Sequence, residues 1–199
     1  ANICIEASPA IQNHAGLGRY TSNLIQSLLS SDSTYNYSIS YNDSSKAIIP
    51  SELTTMKHYS SRLSNKWWRL QNAWTHLGNS PMDTHYPGLD IYHSTGHLVP
   101  KLDNILTVFT LHDLIPILYP NFHKPLNRIF LSVMMPLFLK SADAIISVSN
   151  NTRDDAVKHT DVDPSKFVVI PEAVSPSFQT IINQQQLTKV RYKYKLPER

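Results

Sequence analysis

The sequence predicts an α/β fold organised as a doubly wound parallel sheet. Strand-like and helix-like segments alternate from end to end, the order that winds helices around a parallel sheet. Residues 105–113, ILTVFTLHD, are apolar with no in–out alternation until a histidine and an aspartate end the run. A strand covered on both faces reads this way. Near the amino terminus, a short apolar strand leads through a two-glycine segment into an amphipathic helix, the strand–turn–helix start of a βα unit.

NICIEA, opening at Asn2, is the first strand, and SPAIQNHAGLG reads as a loop. RYTSNLIQSLL carries Tyr20, Leu24, Ile25, Leu28 and Leu29 at helical spacing, so a helix is expected from near Gly18. YNYSISY alternates and reads as a second strand, followed only by a short strand near Met56–Tyr59. In SRLSNKWWRLQNAWTHLGN, Leu63, Trp67, Leu70, Trp74 and Leu77 step by four and three along one helix face. That face is expected to pack inward, with Gly78 as the stop. DIYHS is a short strand ahead of ILTVFTLHD. Pro125 opens a helix to about Ser141, with Leu126, Ile129, Phe130, Val133, Leu137 and Phe138 inward and a kink expected at Pro136. AIISVS reads as a strand, NTRDDAVKH as a helix and KFVVIP as the last strand. In the polar end of the chain, Leu187, Val190 and Tyr194 form a helical stripe.

With 199 residues, 41% hydrophobic and 17% charged, the chain is globular and large enough for one sizeable core. A net charge of +3 without any Lys/Arg-rich run argues against nucleic acid as a partner. The sole cysteine, Cys4, lies in the first strand, so no internal disulfide forms. No signal peptide is expected, because the chain opens directly on a strand, and no apolar run approaches a membrane span. A cytoplasmic location is therefore expected.

Ligands of open parallel sheets bind outside the carboxyl ends of the strands. His112 and Asp113 stand at such an end, as do Glu6, Ser149 with Asn150, and Glu172. His112 is placed to hydrogen-bond a sugar hydroxyl or a carbonyl, while Asp113 either orients it or caps the turn before Pro116. Ser149 reads as the N-cap of the following helix. Gly16 and Gly18 allow close backbone approach ahead of a helix N-terminus, although Thr21 stands where a dinucleotide fingerprint has its third glycine. Nine histidines raise a metal reading, but Gly96 lies between His93 and His97, and no zincin pattern is present, so no metal is expected. Arg62, Lys66, Trp67, Trp68 and Arg69 admit contact with a membrane surface, against the plainer reading of Trp67 and Trp74 packed inward.

Taken together and in order, AGLGRYTSNLIQSL, TLHDLIPILYP, ADAIISVSNNTRDDAVKH and DPSKFVVIPEAVSPSF resemble the amino-terminal domain of family 4 glycosyltransferases. These are retaining enzymes of the GT-B architecture, in which two Rossmann-like domains face across a cleft. The resemblance implies that residues 1–180 form the acceptor-side domain. Residues 181–199 would then lead to a further, donor-binding domain. It implies a nucleotide-sugar donor, no metal or other cofactor, and transfer of a hexose such as mannose or glucose to a glycan or lipid-linked hydroxyl with retention. Polysaccharide biosynthesis at the inner face of the membrane is the expected setting. By position, Gly16, Gly18 and Arg19 match the family's glycine loop, and Glu6 its strand-end acid. His112 matches the histidine that contacts the donor sugar, with Asp113 beside it. Ser149, Thr152, Arg153 and Asp154 match the polar start of a helix. Glu172, Ala173 and Ser175 replace three residues of the family's run at this place, with Glu172 a candidate substrate-binding carboxylate. Two other readings stay open: a nicotinamide-dependent oxidoreductase using the glycine segment and Asp43, and a non-catalytic module that binds a glycan or a protein partner.

Overall fold

The structure, a computed structural model, describes residues 1–12, 15–31, 34–43, 49–122, 124–175, 178, 180 and 183–197. Seven parallel strands form one sheet: β1 (Asn2–Glu6), β2 (Asn36–Asn42), β3 (Lys57–Ser61), β4 (Ile91–Ser94), β5 (Leu106–Leu111), β6 (Ala144–Ser147) and β7 (Phe167–Val169). Their order is β3-β2-β1-β4-β5-β6-β7, so the winding reverses between β1 and β4. The helices are α1 (Ser8–Ile11), α2 (Ala15–Ser30), α3 (Asn65–Leu77), α4 (Ile115–Leu118), α5 (Pro125–Ser141), α6 (Asn150–His159) and α7 (Gln184–Tyr194).

Successive β1 side chains separate the core, because neighbours on a strand point to opposite faces. Ile5 packs with Ile25 of α2 and Ile39 of β2, whereas Cys4 packs with Tyr92 of β4 and Leu102. A third cluster joins Phe109 and Leu111 of β5 to Ala73 of α3, Met134, Met135 and Phe138 of α5, and Ala156 of α6. Each large side chain buried this way contributes about 1.5–3 kcal/mol. Burial also pushes the Cys4 thiol up to about 12, so it stays protonated and is no nucleophile.

Several expectations are corrected. The segment before α2 is not all loop: Pro9 sits in the first turn of α1, and α2 begins at Ala15 rather than near Gly18. Gly16 and Gly18 therefore belong to the first turns of a helix. On α3 the predicted inward face points outward. Asn72, Ala73 and Thr75 meet the core, while Trp67, Leu70, Trp74 and Leu77 are exposed, as is Leu63, which precedes the helix. The two polar core-facing residues are satisfied locally, Asn72 by donating to Trp68 O and Thr75 by donating to Asn72 O. On α5, Phe138 is fully buried and Phe130 and Leu137 partly so, but Leu126, Ile129 and Val133 face solvent. The buried stripe is Leu131, Met134, Met135, Phe138 and Leu139. Pro136 lies within α5, which runs from Pro125 to Ser141 as expected. Helix α3 does stop at Gly78, its C-cap, although the left-handed residue there is Asn79 and not the glycine, whose φ is −88°. The stripe at the chain's end does lie on a helix, but Val190 and Tyr194 are exposed and α7 buries no residue.

Candidate functional site

All strands run the same way, so the ends of β1, β4, β5, β6 and β7 share one edge of the sheet. The winding reversal lies there between β1 and β4, where open α/β sheets bind ligands. A cleft of about 350 Å³ opens at this place. One wall holds Glu6 from the end of β1 with Gly96 and His97 after β4; another holds Trp68 of α3, with Asn65 and Asn127 of the helices beside it.

Glu6 is buried, and its Oε1 accepts from the Ser8 amide at 2.9 Å. Loss of water raises this carboxyl to about 7, although hydrogen bonds from Ser8, Thr95 and the Gly96 amide oppose the rise. A Cβ on Gly96 would stand 3.0 Å from Glu6 Oε2, so glycine lets the two loops close on the carboxyl. Nearby, the Asn42 amide donates to Ser8 Oγ, Gln12 Nε2 donates to Asn42 O, and Asn42 Nδ2 donates to Asn65 Oδ1. Among the described residues, Asn42 Oδ1 is a buried side-chain oxygen without a hydrogen-bond partner.

His112 follows β5 and reaches the cleft wall through Thr95. Its Nε2 lies 3.1 Å from Thr95 O and its Nδ1 3.0 Å from Glu172 Oε1. Tyr20 of α2 meets the imidazole edge-on, with centroids 4.7 Å apart. The side chain is 11% exposed, enclosed yet open to the sheet edge. Thr95 ties the site together. Its hydroxyl donates to Glu6 O at 2.6 Å and accepts from Thr21 Oγ1 at 2.9 Å, while its carbonyl faces His112. Beneath, Thr110 Oγ1 lies 3.2 Å from Tyr20 Oη and 2.8 Å from His93 Nε2. Burial, reinforced by the nearby His112, holds His93 down at about 4, so it is neutral.

The structure thus brings His112, Glu172 and Glu6 to one edge and sorts the remaining candidates. Asp113 does not orient His112; its Oδ1 accepts from the Ile115 amide in the turn before Pro116. Ser149 caps α6 by accepting from the Thr152 amide at 3.1 Å, and Thr152 Oγ1 donates to His112 O. Arg153 pairs with its neighbour Asp154 at 2.8 Å. Arg19 is exposed on α2 and Gly16 has nothing within 4 Å of a would-be Cβ. Gly18 is a packing glycine: a Cβ there would meet Pro9 O at 2.7 Å. Sequence reasoning missed Thr95 and Thr110, placed Tyr20 only in a helical stripe and weighed His93 only as a metal ligand. Thr21 was visible only as a departure from a glycine pattern, yet its buried hydroxyl anchors α2 to Thr95. Among the described residues, no three His, Cys, Asp or Glu side chains converge as metal ligands.

A sequence profile for Glycosyltransferase Family 4 matches residues 16–178, from the first turn of α2 past β7. The chain belongs to glycosyltransferase family 4. The fold of this family 4 domain also resembles solved glycosyltransferase structures. The apo form of the lipopolysaccharide outer core galactosyltransferase WaaB is 14% identical, with a TM-score of 0.52, over 88% of this chain and 46% of that one. A glycosyltransferase from Rickettsia africae ESF-5 is 17% identical, with a TM-score of 0.46, over 99% of this chain and 50% of that one. The domain therefore spans about half the length of these structures. No curated protein sequence matches it.

Proposed function

We propose that this domain is the acceptor side of a retaining hexosyltransferase, acting with a second, donor-binding Rossmann-like unit. The observation that carries the reading is the cleft at the winding reversal. It combines a carboxyl and side-chain amides, suited to hydroxyl groups, with the Trp68 indole, suited to the apolar face of a sugar ring. The acceptor in this reading is a glycan or lipid-linked hydroxyl, and the donor a nucleoside diphosphate hexose such as a glucose or mannose derivative.

In the reaction, the bond between the anomeric carbon and the diphosphate oxygen breaks. The acceptor oxygen forms the new bond on the same face, and its proton leaves with the departing phosphate oxygen. No protein nucleophile and no metal is invoked. His112, held by Thr95 and Glu172 and buttressed by Tyr20, positions the donor sugar at the reacting centre. Basic groups and helix N-termini of the donor-binding unit stabilise the leaving diphosphate.

The test is transfer of labelled hexose from UDP-glucose or GDP-mannose. The 199-residue chain alone is expected to give negligible transfer, and the chain joined to a donor-binding unit to give turnover. His112→Ala in the longer protein is expected to lower kcat by about 10²-fold with folding intact. Full-rate transfer by the chain alone, or unchanged turnover in the variant, would contradict the proposal.

A further inference from the structure

We infer that the outward faces of α3 and α5 form a docking surface for an anionic phospholipid bilayer. On α3, Trp67, Leu70, Trp74 and Leu77 lie opposite the core-facing Asn72, Ala73 and Thr75, with Trp67 62% and Trp74 70% exposed, and Leu63, just before the helix, is exposed as well. On α5, Leu126, Ile129 and Val133 lie opposite the buried Leu131, Met134 and Phe138. The helices are neighbours: Arg69 Nη2 donates to Asn127 Oδ1 at 2.8 Å, and its guanidinium carbon sits 4.3 Å over the Phe130 ring. They also share one core cluster. Each helix thus presents an apolar stripe to solvent, and exposed apolar surface of this kind marks an interaction site.

The charges identify the occupant. Residues 53–82 and 114–142, which include both helices, contain no aspartate or glutamate. The same segments supply Arg62, Lys66 and Lys124, all exposed, and the partly exposed Arg128. Lys140, at the far end of α5, is offset by Asp161 at 3.4 Å. A cationic rim around an apolar centre complements an anionic lipid surface, and indole rings favour the boundary between headgroups and acyl chains. Among the described residues, no helix is long and apolar enough to cross a membrane, so α3 and α5 would lie in the plane of the interface. Trp68, Arg69 and Asn127 also line the cleft, which docking would bring beside the headgroups.

The test is co-sedimentation of the chain with vesicles of phosphatidylcholine alone or mixed with phosphatidylglycerol. Partition onto the anionic vesicles is expected, weakening with salt. The double variant Trp67→Ser/Trp74→Ser is expected to bind about tenfold more weakly with its circular dichroism unchanged. Arg62→Glu/Lys66→Glu is expected to lose binding while keeping the apolar stripe. Three results would overturn the inference. One is failure to bind either vesicle. Another is equal binding by the double tryptophan variant. The third is self-association in sedimentation velocity that this variant abolishes without any vesicle binding, which would assign the face to a second copy of the chain. Vesicle binding requires no turnover, so a negative result leaves the transferase proposal standing.

Discussion

Glu6 and His93 illustrate opposite effects of burial. Glu6 rises from an ordinary 4.5 to about 7, and His93 falls from 6.5 to about 4. Below pH 4.5 Glu6 is protonated whether folded or not. Between 4.5 and 7 the unfolded chain releases this proton and the folded chain keeps it, so stability falls as pH rises. His93 acts in the reverse sense, losing stability as pH falls from 6.5 towards 4. The two slopes largely cancel in the intact protein, so the Glu6 contribution shows only by difference. The unfolding free energy of wild type minus Glu6→Gln, from urea titrations, is expected to fall by on the order of 3 kcal/mol between pH 4.5 and 8. A flat difference would show that Glu6 does not titrate in this window. The strand-end position of His112 was legible in the sequence because an apolar run stopped there. Its partners were not: Thr95 and Tyr20 lie far away in the chain and meet it only through strand pairing and the docking of α2.

The two glycines of α2 look equivalent as letters and are opposite as physics. Gly18 faces Pro9 O at a distance no Cβ tolerates, whereas the same atom on Gly16 meets open space. Gly18→Ala is expected to destabilise by about 1–3 kcal/mol through overpacking. Gly16→Ala is expected to stabilise by up to about 1 kcal/mol through helix propensity and a restricted unfolded chain. Urea denaturation of the two variants checks both signs. Lower transfer by a stabilised Gly16→Ala enzyme would indicate that this position approaches a ligand. Helices α3 and α5 show where periodicity fails. On α3 the core face consists of small and polar residues that bond within the helix, leaving the apolar stripe for the outside. On α5 both faces carry apolar residues, and spacing alone cannot choose between them.

For the whole molecule, the winding order sets both the site and the stability map. Phe138, in the cluster shared by α3, α5 and α6, is expected to cost about 3–5 kcal/mol as Phe138→Ala. Trp74→Ala, at an exposed position, is expected to change stability by less than about 0.5 kcal/mol. Comparable losses for the two variants would show that the outward α3 face is covered in solution. The α/β class, the parallel strands and the strand-end edge that holds the candidate site were readable from the chain alone, since alternation and apolar runs are local properties that each segment carries with it. The resemblance to family 4 was readable as well, because four motifs keep their order and spacing. Which helix face is buried, which glycine packs, and how Thr95 joins Glu6, Thr21 and His112 were decided only by tertiary structure. These depend on what stands opposite each side chain, and strand order brings Thr95 to Glu6 across 89 positions of chain.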